Sequence, residues 1–105
     1  MSDPALPTFD VSVSAENGVA NVAVTGDVDT ATAGELELAL LQAADGTSAV
    51  HVDLGAVSFI DSSGLRALIV ARQASLDAGT EFGIVATTPA VDRLLRLTGL
   101  EDLLR

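Results

Sequence analysis

Apolar and polar residues alternate from the first patterned stretch of the chain. Phe9, Val11 and Val13 fall on one side, with Asp10, Ser12 and Ser14 on the other. A period of two predicts a strand with one face on a core. Asn17-Gly18 follows, the pair favoured in a type I′ hairpin turn. Val19 to Thr25 resumes as a second strand with Val22 and Val24 on one face, and Gly26 is expected to end it. The period then lengthens. Leu36, Leu40 and Ala43 form one helical stripe, entered through Thr32 and Glu35 at capping-box spacing and stopped at Gly46. Ala49 to Leu54 reads as a third strand, apolar at Val50, Val52 and Leu54, and Gly55 to Asp61 as a loop. A second helix is expected from the Ser62-Ser63-Gly64 junction to about Asp77, capped by Ser62, with Leu65, Leu68, Ile69 and Leu76 on one face. Glu81 to Ala86 is a short strand. Thr88 followed by Pro89 starts a third helix with Val91, Leu94, Leu95 and Leu97, and Gly99 stops it. Leu100 to Arg105 is expected to add one more turn.

The order is β-β-α-β-α-β-α. A hairpin followed by alternating helix and strand predicts an α/β fold with a mixed β-sheet, parallel after its second strand. Residues 1–7, with two prolines and little pattern, read as a flexible N-terminal arm, and residues 8–105 as one domain.

Composition narrows the function classes. The 105 residues are 49% apolar with a net charge of −10. A mean hydropathy of +0.46 supplies material for a core, whereas disorder needs low hydrophobicity as well as charge. The charge is uneven: residues 1–61 hold acids but neither Lys nor Arg, and all five arginines lie beyond them. Such a chain repels phosphate backbones and anionic lipid, so neither nucleic acid nor membrane is an expected partner. Cysteine is absent and histidine occurs once, which removes thiol chemistry, disulfides and multi-histidine metal sites. The N-terminal residues lack the basic and apolar parts of a signal peptide, and a cytoplasmic location is expected.

Four places hold candidate chemistry. At Phe59-Ile60-Asp61-Ser62-Ser63-Gly64-Leu65 two hydroxyls sit at a helix start beyond a strand's carboxyl end, where α/β sheets bind ligands. The helix dipole there tolerates an anion, and a phosphate on Ser63 would add about −1.5 to −2 charge beside Asp61. The plainer account is a cap and a first turn. At Gly26-Asp27-Val28-Asp29 two carboxylates follow a strand, without the third ligand and glycine of a calcium loop. A charged helix-entry loop accounts for them better, and no metal site is assigned. His51, Asp53 and Ser63 supply the residue types of a hydrolytic triad but not the Gly-x-Ser-x-Gly elbow. Arg93 and Arg96 share one turn of the last helix, with Asp92 as a surface partner.

Three segments carry a resemblance. Val52-Asp53-Leu54-Gly55-Ala56-Val57-Ser58-Phe59-Ile60-Asp61-Ser62-Ser63-Gly64-Leu65 closely resembles the signature of STAS domains, the anti-sigma factor antagonists of bacteria. Gly26-Asp27-Val28-Asp29-Thr30-Ala31-Thr32-Ala33 resembles that family's entry to its first helix. Thr88-Pro89-Ala90-Val91 with Leu97-Thr98-Gly99-Leu100 resembles its last segment. The resemblance implies helices packed mainly on one side of the sheet. It implies an antagonist that binds an anti-sigma factor, itself a GHKL-type serine kinase, and releases the sigma factor. The kinase phosphorylates a serine at the start of the second helix, which maps to Ser63 with Ser62 secondary, and the modified antagonist lets go. A PPM-type serine phosphatase reverses the step. The partner surface it implies comprises Asp27, Asp29, Thr30, Phe59, Asp61, Ser62, Gly64 and Arg66. No cofactor and no catalytic residue of the chain's own is implied, because Mg-ATP belongs to the kinase. An alternative within the family is a docking subunit of a lipid-transport or other ATPase complex. Outside it stand a hydrolase using Ser63 and His51, and a nucleotide-binding sensor. The chain departs from the family pattern at its end, where many members continue beyond the position of Arg105 with a short strand and a helix.

Overall fold

The computed structural model describes residues 9–104, so the expected arm lies outside the described residues. The elements are β1 (Asp10–Glu16), β2 (Val19–Val28), α1 (Ala33–Ala44), β3 (Ala49–Ile60), α2 (Ser62–Asp77), β4 (Glu81–Ala86), α3 (Pro89–Thr98) and α4 (Glu101–Leu104). The four strands lie in sequence order, β1-β2-β3-β4. The hairpin pair is antiparallel, and β2–β3 and β3–β4 are parallel. The expected α/β architecture with a mixed sheet is the observed one.

The helices pack over one face. Ala20, Val22, Val24 and Val28 of β2 point into the core, as do Val50, Val52 and Leu54 of β3. They meet Leu36 and Leu40 of α1, Leu65 and Leu68 of α2, Val91 and Leu95 of α3, and Leu104 of α4. The alternate positions, Asn21, Ala23, Thr25 and Asp53, are exposed. The result is a two-layer domain with one bare sheet face.

The Asn17-Gly18 turn forms as the pattern predicts, with φ of 54° and 81°. The ends of β2 and β3 differ from expectation. Gly26 does not end β2; it sits inside the strand with φ of 87°. Gly55–Ile60 is not a loop but the second half of β3. The cause is a pair of bulges. Between Ala23 and Thr25 of β2 the partner advances from Asp53 to Ala56, and between Gly26 and Asp27 it advances from Val57 to Phe59. Each step inserts one extra β3 residue. Inward positions therefore fall at Leu54, Val57 and Ile60, a spacing of three that hides the strand from a test for alternation. Asp53 steadies the first bulge, its Oδ1 accepting from the Gly55 N–H at 2.8 Å.

Two apolar positions assigned to helix faces are exposed. Leu76 keeps the phase of Leu65 but lies in the last turn of α2 and is 43% exposed. Leu97, 76% exposed, stands six residues after Val91, about 240° round the α3 axis and off the buried stripe. Gly26 adopts a conformation that costs an L side chain about 1–2 kcal/mol. Gly26→Ala should lower the unfolding free energy by about that amount, read as a shifted urea midpoint with an unchanged slope.

Candidate functional site

Because β2, β3 and β4 run parallel, α1, α2 and α3 all begin at the carboxyl edge of the sheet. The three entry loops bring the Asp27–Thr32, Phe59–Gly64 and Thr87–Pro89 segments to that edge. Ligand sites of open α/β sheets form at such edges.

The start of α2 is fixed by two contacts. Asp61, not Ser62, is the N-cap: its Oδ1 accepts from the N–H of Ser63 at 2.9 Å and of Gly64 at 3.3 Å. Two of the helix-end donors available to an anion, the N–H groups of Ser63 and Gly64, are thus already engaged by a carboxylate. Gly64 is buried, and a Cβ there would lie 2.6 Å from Ile60 Cγ1 and 2.8 Å from Val28 Cγ1. The sequence assigned Gly64 to the partner surface; its burial makes it a packing position. It lets α2 start directly against the ends of β2 and β3, which holds the serines at the edge. Ser62 is exposed and Ser63 half-buried, and neither hydroxyl makes a hydrogen bond among the described residues.

The Asp27–Thr32 loop divides its carboxylates. Asp29 Oδ1 accepts from the Ala31 N–H at 2.9 Å and from the Thr32 hydroxyl at 3.3 Å. Thr32 Oγ1 accepts from the Asp29 N–H at 3.0 Å and donates to the Asp27 carbonyl at 2.9 Å. The expected capping box does not form: Thr32 occupies the N-cap of α1 with φ of −114° and ψ of −16°, and its side chain turns back into the loop. Asp29 holds the loop's shape. The half-buried Asp27 side chain makes no hydrogen bond among the described residues and stands beside Phe59 in the sheet register. Thr30 is exposed at the loop tip, Arg66 is exposed on the first turns of α2, and Phe59 is 50% exposed.

The other candidates separate. His51 is half-buried on the bare sheet face, in the amino-terminal half of β3, while Ser63 begins α2 beyond that strand's carboxyl end. Asp53 accepts from the Gly55 N–H instead of the imidazole. No triad is assembled. Nor do three His, Asp or Glu side chains converge as metal ligands among the described residues. Arg93 and Arg96 form no ion pair among the described residues, and Asp92 accepts from the Thr87 hydroxyl at 2.6 Å, so the expected surface pairing is not the arrangement seen. Sequence reasoning missed the Asp61 cap, although an Asp before two serines and a glycine signals one. It also missed an apolar groove of about 450 Å³ beside this edge, lined by Phe59, Ile60, Pro89, Ala90, Leu94 and Leu97, with Arg93 on its wall.

The STAS domain model matches residues 10–105. The chain belongs to the STAS domain family. It is 35% identical over 96 residues to the anti-sigma-F factor antagonist RsfB of Mycobacterium tuberculosis, covering 90% of this chain and 78% of that one. It is 31% identical over 97 residues to the anti-sigma-B factor antagonist of Staphylococcus aureus, covering 91% and 90%. The crystal structure of an anti-sigma factor antagonist from Mycobacterium paratuberculosis superposes with a TM-score of 0.83 at 37% identity, covering 99% and 87%. No helix among the described residues of this STAS domain is long and apolar enough to cross a membrane.

Removing the Asp61 cap should cost about 1 kcal/mol in Asp61→Ala, and overpacking in Gly64→Ala about 1–3 kcal/mol. Urea unfolding checks both. Gly64→Ala, which displaces the start of α2 against Val28 and Ile60, is expected to cost more.

Proposed function

We propose that this STAS domain is a cytoplasmic antagonist of an anti-sigma factor, switched off by phosphorylation at the start of α2. The observation that carries this reading is the exposed hydroxyl at a helix start capped by Asp61, at the sheet edge where Asp27 and Phe59 pair. The relatives named as anti-sigma factor antagonists support the partner class. The family resemblance supplies the rest: a GHKL-type serine kinase as the anti-sigma factor, and a PPM-type phosphatase that resets the cycle.

The chain needs no catalytic group of its own. The serine oxygen attacks the γ-phosphorus of the kinase's Mg-ATP, the bond to ADP breaks, and the hydroxyl proton passes to a base on the kinase. Accessibility reverses the order that the resemblance implies, since Ser62 is exposed and Ser63 half-buried. Ser62 is therefore the acceptor proposed here, with Ser63 second. The new charge of about −1.5 to −2 arises next to Asp61, which already holds the nearest backbone donors. With those donors engaged the phosphate is driven outward, into the surface that the partner covers. A contact fitted to a neutral hydroxyl is then opposed by repulsion from acidic groups and by the cost of desolvating the dianion.

Incubation with purified GHKL-type anti-sigma factors and ATP, followed by site mapping by mass spectrometry, tests this. Phosphate is expected on Ser62, lost in Ser62→Ala and kept in Ser63→Ala. Ser62→Asp should weaken binding at least tenfold, whereas Ser62→Ala should bind persistently. Phosphate on neither serine, or equal binding by Ser62→Asp and the unsubstituted chain, defeats the reading.

A further inference from the structure

The groove beside the switch is not explained by a serine cycle alone. Phe59 and Ile60 at the end of β3 form one wall, and Pro89, Ala90, Leu94 and Leu97 of α3 form the other. Its volume of about 450 Å³ lies within the range of sites that admit bulky apolar groups. Phe59 is 50% exposed and Leu97 76% exposed, so two large apolar side chains face solvent across one concavity. Leu97 contributes nothing to the core: Val91 and Leu95 bury that face of α3 completely, and Leu97 points elsewhere.

The groove is continuous with the proposed switch. Phe59 pairs with Asp27 in the sheet register, and Ile60 runs through Asp61 directly into Ser62. Its charge differs from that of the rest of the edge. Asp27 and Asp61 make the serine side acidic, whereas Arg93 lines the groove and has no ion-pair partner among the described residues. In a chain of net charge −10, an exposed arginine on an apolar groove matches an anionic group placed next to an apolar one.

We propose that this groove receives an apolar side chain of the anti-sigma factor, flanked by a carboxylate that pairs with Arg93. The inference rests on the function proposed above and extends the interface from the start of α2 onto α3. The partner's surface then has a fixed pattern. A large aliphatic or aromatic anchor lies between Phe59 and Leu97, an acidic residue faces Arg93, and neutral or basic residues face Asp27 and Asp61. Buried apolar anchors and desolvated arginines are the residues that dominate protein interfaces.

Calorimetry with the full chain and a purified anti-sigma factor tests the proposal. Leu97→Asp and Arg93→Glu should each weaken binding at least tenfold, with urea midpoints close to that of the unsubstituted chain. Leu38→Asp, at a position 56% exposed on α1 and outside the groove, should leave affinity unchanged and controls for loss of surface hydrophobicity. Replacing the facing carboxylate of the partner by arginine should restore binding to Arg93→Glu. Affinity unchanged in both groove variants overturns the proposal while leaving the serine switch standing. So does a groove that instead joins two copies of this chain, seen as a dimer that Leu97→Asp dissociates without loss of partner affinity. Saturable decanoate binding at the groove with partner affinity untouched also overturns it. If the unsubstituted chain binds no anti-sigma factor, the proposed function itself fails, and this extension with it.

Discussion

The approach of α2 to the sheet is the constraint on which the candidate site depends. At Gly64 no side-chain atom separates the helix backbone from Val28 and Ile60. A methyl group there would lie 2.6 Å from Ile60 Cγ1 and 2.8 Å from Val28 Cγ1, closer than atoms pack, so the helix start or those side chains would have to shift. That single close contact ties the ends of two parallel strands to the first turn of α2. It fixes the height of the serines above the sheet edge, their direction, and their distance from the β2 loop. Asp61 completes the arrangement by closing the helix end with its own carboxylate. Packing thus sets the position, and the cap sets the electrostatic background on which any added charge acts.

The carboxyl edge shows how similar residues come to hold different roles. Asp29, Asp61 and Asp53 each accept from nearby backbone N–H groups and hold a loop, a helix start and a bulge respectively. The oxygen that makes such a bond is committed to the fold, so a partner meets these groups mainly as fixed negative charge. Asp27 has no such bond among the described residues. Acidity along this chain is therefore partly structural, and only part of the net negative charge bears on recognition.

Most of the fold was legible in the sequence, because most of its signals are local. Alternation from Phe9, the Asn17-Gly18 turn, the Leu36–Leu40–Ala43 stripe and the Thr88-Pro89 start each specify their element without help from distant residues. The second half of β3 was not legible, since its strand character comes from pairing with β2 across two bulges, and no window of one chain segment contains that information. Much of the site was legible as a motif and less as chemistry. The sequence located the serines and the acidic loop. It did not reveal which carboxylates were engaged, which serine was outermost, or that Leu97 faced solvent. Those properties depend on burial and on partners contributed by other elements.

The opposite edge of the sheet has a different character. There the chain turns at Gly18, Gly46 and Gly79, and the turns are stitched together. Ser48 donates its backbone N–H to the Gly18 carbonyl at 2.8 Å, Glu81 donates to the Ser48 carbonyl at 3.0 Å, and the Thr80 hydroxyl bonds the Thr47 carbonyl at 2.9 Å. The starts of α1, α2 and α3, the serines, the acidic loop and the groove lie at or beside the far edge, a strand length away. The molecule is polarised, with the proposed partner surface at one pole and chain reversals at the other. Lengthening a turn at the second pole, or grafting an affinity handle or fluorophore into it, leaves the first pole's surface intact.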